Sequence, residues 1–326
     1  MAIVLSHVLL CTATAFDRYG AEWSAIDPGL DTVQLSPGVM IEPSRLERVD
    51  VAFFSADVYP TMSAAFMRLA LDTPDLHWMH LANAGVDHPI FGTFLRRGTR
   101  LTNSAGSSAT PIAHTVVMHL LQLCRNTSTY ARQQDGRQWA PHDSLDLEGR
   151  CVGIVGLGAI GREVARLLPH FGVRVIGVRR SPDDTDPCET WTADRLHELL
   201  PLVDDLVITA PLTAQTHELI GAVELELLRS GAHVVNVGRG PIIDEAALIE
   251  ALVSGHIGGA ALDVFEVEPL PADSPLWQLP NVIVIPHAAG VTPLAQHRAA
   301  ELFGVNLGRY VAGEQLLNEI AMPTAG

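Results

Sequence analysis

The chain has 326 residues, 48% of them hydrophobic, and a formal net charge of −16. That length suits about two domains with sizeable cores, and the negative balance argues against nucleic-acid backbones and anionic membrane surfaces as partners. There is no lysine, which excludes a P-loop ATPase, a pyridoxal enzyme with its Schiff-base lysine, and a reductase built on a Tyr-x-x-x-Lys pair.

The N-terminal stretch M-A-I-V-L-S-H-V-L-L-C-T-A-T-A is apolar, but no basic residue precedes the apolar run, as a secretion signal requires. V-L-L-C-T reads instead as a first strand. Further strand-like runs at 51–55, 77–82 and 100–103, with a helical stretch at 61–71, predict a small open α/β domain. Residues 107–126 read as one long helix, with Pro111 suited to its first turn. From residue 147 onward, strands at 151–156, 173–178, 205–210, 232–237, 259–264 and 282–285 alternate with helices at 160–171, 192–200, 222–230 and 244–254. Strands with so few polar residues, separated by helices, predict a parallel sheet covered on both faces. After Gly290 comes another amphipathic helix, able to return to the first domain. No apolar run is long enough for a membrane span. Cys11, Cys124, Cys151 and Cys188 form no C-x-x-C and read as thiols of a reducing compartment.

Between the first strand and helix of the larger domain lies G-L-G-A-I-G, with Gly156, Gly158 and Gly161 flanking Ala159 and Ile160. The first glycine allows a tight turn, the second lets backbone approach a pyrophosphate, and the third lets helix and strand pack closely. N–H groups at the helix start then face the phosphates. The motif follows a strand, opens a helix and heads a βαβ series, which makes it specific. It lies mid-chain. The next strand ends in V-I-G-V-R-R-S-P, where an NAD-binding domain normally places an acid for the ribose 2′-OH. Arg179 or Arg180 can pair there with a 2′-phosphate, and Ser181 can add a hydroxyl. NADP(H) is therefore the expected cofactor, with NAD(H) as the second.

Three polar residues follow strand ends, where doubly wound sheets bind ligands. Arg239 is in N-V-G-R-G, Glu268 in D-V-F-E-V-E-P and His287 in I-P-H-A-A-G. Reduction of a 2-oxo acid needs a hydride at C2, a proton at the carbonyl oxygen and a hold on the carboxylate. A guanidinium provides a planar fork for the oxygens. An imidazole titrates near neutrality and moves the proton, and a carboxylate beside it fixes the tautomer and favours the imidazolium. Elsewhere, His77 and His80 fall on opposite sides of a strand and make no metal pair. Trp139 reads as a packing residue, and Asp183, Asp184 and Asp186 as a solvated acidic loop. No metal site is expected.

The segments L-E-G-R-C-V-G-I-V-G-L-G-A-I-G, A-P-L-T-A-Q-T-H-E-L-I-G, V-V-N-V-G-R-G-P-I-I-D-E-A-A-L-I-E-A-L, G-A-A-L-D-V-F-E-V-E-P-L-P and L-P-N-V-I-V-I-P-H-A-A-G run from about 147 to 290. Together they resemble the D-isomer-specific 2-hydroxyacid dehydrogenases, the family of glyoxylate/hydroxypyruvate reductases, phosphoglycerate dehydrogenase and formate dehydrogenase. The resemblance implies a doubly wound Rossmann dinucleotide-binding domain, 104–290, inserted into a smaller flavodoxin-like substrate domain made of 1–103 and 291–326. It implies catalytic roles for Arg239, Glu268 and His287 and a nicotinamide contact at Asp263. Further cofactor contacts are implied at Ala210, Pro211, Thr216, Val237, Gly238 and Gly290. H-L-A-N-A-G-V-D-H matches the loop whose Gly85 and Val86 N–H groups hold the substrate carboxylate, with Asn83 lining the pocket. The implied protein is a cytoplasmic homodimer joined through its nucleotide domains. Its implied activity is reduction of a glyoxylate- or hydroxypyruvate-type 2-oxo acid to the D-2-hydroxy acid. Two alternatives stay open: the same fold acting on phosphoglycerate, formate or phosphite, and a non-catalytic dinucleotide-sensing corepressor. His114 and Pro241 depart from residues common in the family, and neither is expected to touch the chemistry.

Overall fold

A computed structural model of the chain describes residues 6–321. Residues 1–5, which begin the apolar N-terminal stretch, lie outside the described residues. The chain divides into two compact units, Met1–Ser107 with Thr292–Gly326, and Ser108–Val291. Residues 104–107 stay with the first unit because the Ser104 N–H donates to the Asn83 carbonyl at 3.2 Å and its hydroxyl to the Leu81 carbonyl at 3.0 Å.

The first unit is built on strands β1 (Val8–Thr12), β2 (Asp31–Leu35), β3 (Val51–Phe54), β4 (Trp78–Leu81) and β5 (Arg100–Asn103). All their pairings are parallel, in the order β2-β1-β3-β4-β5, which is the flavodoxin-like order. Strand alternation divides the core. Leu10, Ala52, Phe54, Met79 and Leu81 face one side with Phe66 and Phe94. Leu9, Cys11, Val51, Phe53 and Trp78 face the other with Trp23. The helix Pro293–Val311 completes that second face with Ala300, Phe303 and Leu307. Pro89 at its start and a side-chain cap from His88 define a further helix, Pro89–Arg96.

The second unit carries β6 (Cys151–Val155), β7 (Arg174–Arg179), β8 (Glu189–Thr192), β9 (Asp205–Ile208), β10 (Ala232–Asn236), β11 (Ile257–Leu262) and β12 (Val282–Val284). Their order is β12-β11-β10-β9-β6-β7-β8, parallel throughout. This is the doubly wound Rossmann arrangement, and its order reverses between β6 and β9. The helix Ala159–Leu167 buries Gly161, Val164 and Ala165 against the sheet, an i, i+3, i+4 face. Pro169 lacks an N–H, so the expected continuation to 171 is instead a 3-10 turn, Leu168–Phe171. The expected helix at 192–200 shrinks similarly to Leu196–Leu199 between 3-10 turns, the second of them containing Pro201.

Two sequence expectations fail here. Trp139 does not pack; it is 100% exposed. Asp186 is not solvated: its side chain is only 2% exposed. Among the described residues, no helix is long and apolar enough to cross a membrane.

Phe303 ties the C-terminal helix to the first unit. It is fully buried, with ring centroids 4.7 Å from Phe53, 4.8 Å from Trp23 and 5.2 Å from Trp78. Truncation there leaves a cavity in that aromatic stack. Phe303→Ala is expected to destabilise the first unit by about 3–5 kcal/mol, measured by denaturant unfolding. A loss below about 1 kcal/mol would mean that the helix contributes little to this core.

Candidate active site

The switch point between β6 and β9 is where the glycine motif lies. Gly156 has φ +97°, and a Cβ on it would come within 2.7 Å of the Ala210 backbone. Gly161 has no room either: a Cβ would run into the Gly156 carbonyl. Gly158 is different, for a Cβ there would meet nothing within 4 Å. The first and third glycines are thus required by packing, and the second leaves open space at the start of the helix. Ala159 is exposed there and Ile160 half-buried. An open helix N-terminus beside a bare glycine fits a dinucleotide pyrophosphate. Gly238 closes on the same place, since its Cβ would lie 2.8 Å from the Ala210 carbonyl oxygen. Val237 is buried, and its N–H bonds the Ile208 carbonyl at 3.1 Å. Thr216 donates its hydroxyl to the Pro211 carbonyl at 2.7 Å and so closes the 211–216 turn. Gly290 faces the start of the helix Ala109–Cys124, close to Ser108 and Ile112.

Arg239, Glu268 and His287 follow β10, β11 and β12. The Arg239 turn is clamped by Asn236, a buried residue whose Oδ1 accepts the Gly238 N–H and whose Nδ2 donates to the Arg239 carbonyl, both at 3.0 Å. Gly240 then lies so close to the Phe265–Glu266 backbone that no Cβ fits. This close approach seats the Arg239 turn on the loop that carries Glu268. Glu268 itself accepts the Phe265 N–H at 3.0 Å on Oε1 and His287 Nδ1 at 2.8 Å on Oε2.

His287 sits in the left-handed backbone region, φ +50°, which costs a non-glycine residue about 1–2 kcal/mol. Asp263 holds it there. The Asp263 carbonyl accepts the His287 N–H at 2.9 Å, and its carboxylate accepts the N–H groups of Ala288 at 2.7 Å and Ala289 at 3.0 Å. Burial raises the Asp263 pKa, and the two backbone bonds partly offset that rise. For Glu268, burial opposes the charge, yet the bonds from His287 and Phe265 hold its carboxyl below the ordinary range. The Glu268 bond lifts the His287 pKa above its ordinary value, against burial. Nδ1 is committed to Glu268, so Nε2 is the atom left to exchange a proton. The ring keeps 52% of its side-chain surface exposed.

The adenosine-side candidates lie beyond the switch point from these three. Arg179, at the end of β7, donates to Asp186 at 2.7 Å; Arg180 and Ser181 are exposed. In the first unit, the loop after β4 is braced internally. Asn83 Nδ2 donates to the Gly85 carbonyl at 2.9 Å, and Asn103 Nδ2 to the Ala84 carbonyl at 2.7 Å, with Val86 partly packed on the core. Among the described residues, no group of three or more His, Cys, Asp or Glu side chains is placed to hold a metal ion. Sequence reasoning missed Asn236 and the clamp role of Asp263. An asparagine just before a glycine turn was the available signal for the first; no signal marked the second.

A dinucleotide cradle beside a carboxylate-paired imidazole and a guanidinium, all on one sheet's carboxyl edge, defines the class: dinucleotide-dependent oxidoreductases. A family model described as "D-isomer specific 2-hydroxyacid dehydrogenase, NAD binding domain" matches residues 117–289. A glyoxylate reductase of Thermofilum pendens is 34% identical over 249 residues, 74% of each chain. Glyoxylate/hydroxypyruvate reductase B of Citrobacter koseri is 32% identical over 295 residues, 88% of this chain and 91% of that one. A D-isomer specific 2-hydroxyacid dehydrogenase from Xanthobacter autotrophicus Py2, solved in complex with NADPH and MES, matches with a TM-score of 0.78 at 32% identity, covering 97% of this chain and 98% of that one. The chain belongs to the D-isomer-specific 2-hydroxyacid dehydrogenase family, and it is an oxidoreductase that uses a nicotinamide cofactor.

The Glu268–His287 bond has a direct spectroscopic consequence. In Glu268→Gln, the His287 pKa followed by NMR titration is expected to fall back toward about 6.5 or below. An unmoved pKa would show that Glu268 does not set the charge of His287.

Proposed function

We propose that the protein reduces a small 2-oxo acid of the glyoxylate or hydroxypyruvate type to the D-2-hydroxy acid, with NADPH preferred over NADH. The observation that carries this reading is the 2.8 Å bond between His287 Nδ1 and Glu268 Oε2. It sits on the same sheet edge as the dinucleotide cradle, and it readies an imidazolium for proton donation. The names of the two relatives support the substrate class. The NADPH in the Xanthobacter structure and the arginine pair that closes β7 support the cofactor preference.

When bound, the nicotinamide supplies the hydride that the carbonyl carbon accepts. The glycine turn and the open helix start at Gly158 hold its pyrophosphate, and Asp263 is assigned to its carboxamide. His287 gives its Nε2 proton to the carbonyl oxygen, which stays on C2 as the new hydroxyl, and the ring becomes neutral imidazole. Glu268 keeps Nδ1 protonated throughout and stabilises the ring before the transfer. Arg239 offers the planar fork that a carboxylate and an adjacent carbonyl oxygen accept together. On the first unit, the backbone N–H groups of Gly85 and Val86 are assigned to the substrate carboxylate, with Asn83 beside them.

We assign a homodimer joined through the second unit. That unit exposes Trp139 fully, Met118 at 44% and Phe171 at 39%, apolar surface of the kind that subunit contacts cover. The four cysteines are free thiols, which suits the cytoplasm. Size-exclusion chromatography with light scattering should give twice the chain mass; a monomer at micromolar concentration would rule the dimer out.

Steady-state rates with NADPH and NADH against glyoxylate, hydroxypyruvate and other 2-oxo acids test the activity. Turnover with none of them would sink the proposal. His287→Ala should cut reduction by about 10²–10⁴-fold while leaving cofactor affinity nearly unchanged. Since reduction needs protonated His287, the wild-type rate should fall as pH rises through a pKa above the ordinary 6.5 or so. A rate that instead rises over that range would remove His287 as the acid.

A further inference from the structure

The loop between β7 and β8 contains a buried acid with no part in the chemistry above. Asp186 Oδ1 accepts Arg179 Nη1 at 2.7 Å and also Arg162 Nη1. Arg162 follows Gly161 on the dinucleotide helix, and its Nη2 donates to the Thr185 carbonyl at 2.7 Å. Asp186 Oδ2 accepts the Asp183 N–H at 3.0 Å. A carboxylate this buried is tolerated only when paired and hydrogen-bonded, and these partners meet that requirement. One side chain therefore joins the dinucleotide helix, the end of β7 and the loop that follows. Arg180, the next residue along, is exposed, and it makes no ion pair or hydrogen bond among the described residues.

We infer that Asp186 sets how strongly this site prefers a 2′-phosphorylated dinucleotide. It neutralises and holds Arg179 in an internal pair, and so leaves Arg180 as the guanidinium that meets the phosphate. The inference rests on the NADPH reading above and deepens it. Arg162, Arg179 and Asp186 together carry one net positive charge. Replacing the carboxylate by an amide of the same shape keeps an acceptor for the arginines and raises that charge by one. A 2′-phosphate should feel the change, and a nucleotide without one should feel it little.

The test is calorimetric titration of the full-length protein with 2′,5′-ADP and 5′-AMP, which differ only in the 2′-phosphate. Wild-type protein should bind 2′,5′-ADP more tightly. Asp186→Asn should increase that preference about fivefold, with 5′-AMP affinity unchanged. Arg180→Gln should reduce it about tenfold, and Arg179→Gln should reduce it by less. A folded Asp186→Asn protein with an unchanged or weaker preference overturns the inference. So does a larger loss from Arg179→Gln than from Arg180→Gln, an order that decides the matter even if Asp186→Asn does not fold. A wild type without any preference would instead refute the NADPH reading, and Asp186→Asn gaining a preference there would still support the role of Asp186.

Discussion

Asp263 fixes the shape of the site through three hydrogen bonds. Its backbone carbonyl and its carboxylate together hold the N–H groups of His287, Ala288 and Ala289. Those bonds keep His287 in a left-handed conformation that its own side chain disfavours, and that conformation is the one in which Nδ1 reaches Glu268. Asp263 can do this because it leaves β11 on a buried sheet edge, where a carboxylate needs donors and the 287–289 turn provides them. The Glu268 bond then raises the histidine's pKa, and the bonds from the histidine and the Phe265 N–H lower that of Glu268. A chain of backbone and side-chain bonds thus links the β11 and β12 ends into one unit. The arginine turn after β10 joins through the close approach at Gly240.

Buried charge also appears at the opposite edge of the same sheet, in a different role. Arg150 forks onto Asp205 at 2.7 and 2.8 Å, and His233 Nδ1 lies 2.8 Å from the same carboxylate. Asp205 is fully buried there. This cluster sits at the amino ends of β6, β9 and β10, away from the carboxyl edge where ligands of doubly wound sheets bind. It holds strands in register. The two edges of one parallel sheet thus separate chemistry from scaffolding.

Much of this was legible in the sequence, for identifiable reasons. Buried parallel strands are apolar runs, so β6, β9 and β10 stand out, and polar residues just beyond them mark the carboxyl edge. That rule singled out Arg239, Glu268 and His287, and the structure pairs the last two. The glycine motif was legible because its first and third glycines have steric reasons, and its second leaves the helix start open. Of the four edge strands, β2 and β8 were not. β2 buries only Val33 and Leu35, and β8 has no buried residue, so neither forms an apolar run. Asp186 was misread because its partners, Arg162 and Arg179, are brought to it by the tertiary fold, and an acidic loop looks solvated in one dimension. Trp139 failed in the opposite sense: an aromatic residue is expected to pack, and no local pattern reveals that the chain around it lies open.

The aromatic stack around Phe303 bears on how the chain is made. The second unit is one continuous segment and has all its strands once residue 291 has been synthesised. The first unit includes β1 but lacks Ala300, Phe303 and Leu307 until the whole second unit has been synthesised. Leu9, Phe53 and Trp78 must therefore wait with one face uncovered while the second unit is made. Domains emerging from the ribosome generally fold as units, the N-terminal one first. Here that order is inverted: the unit begun before the other is completed after it.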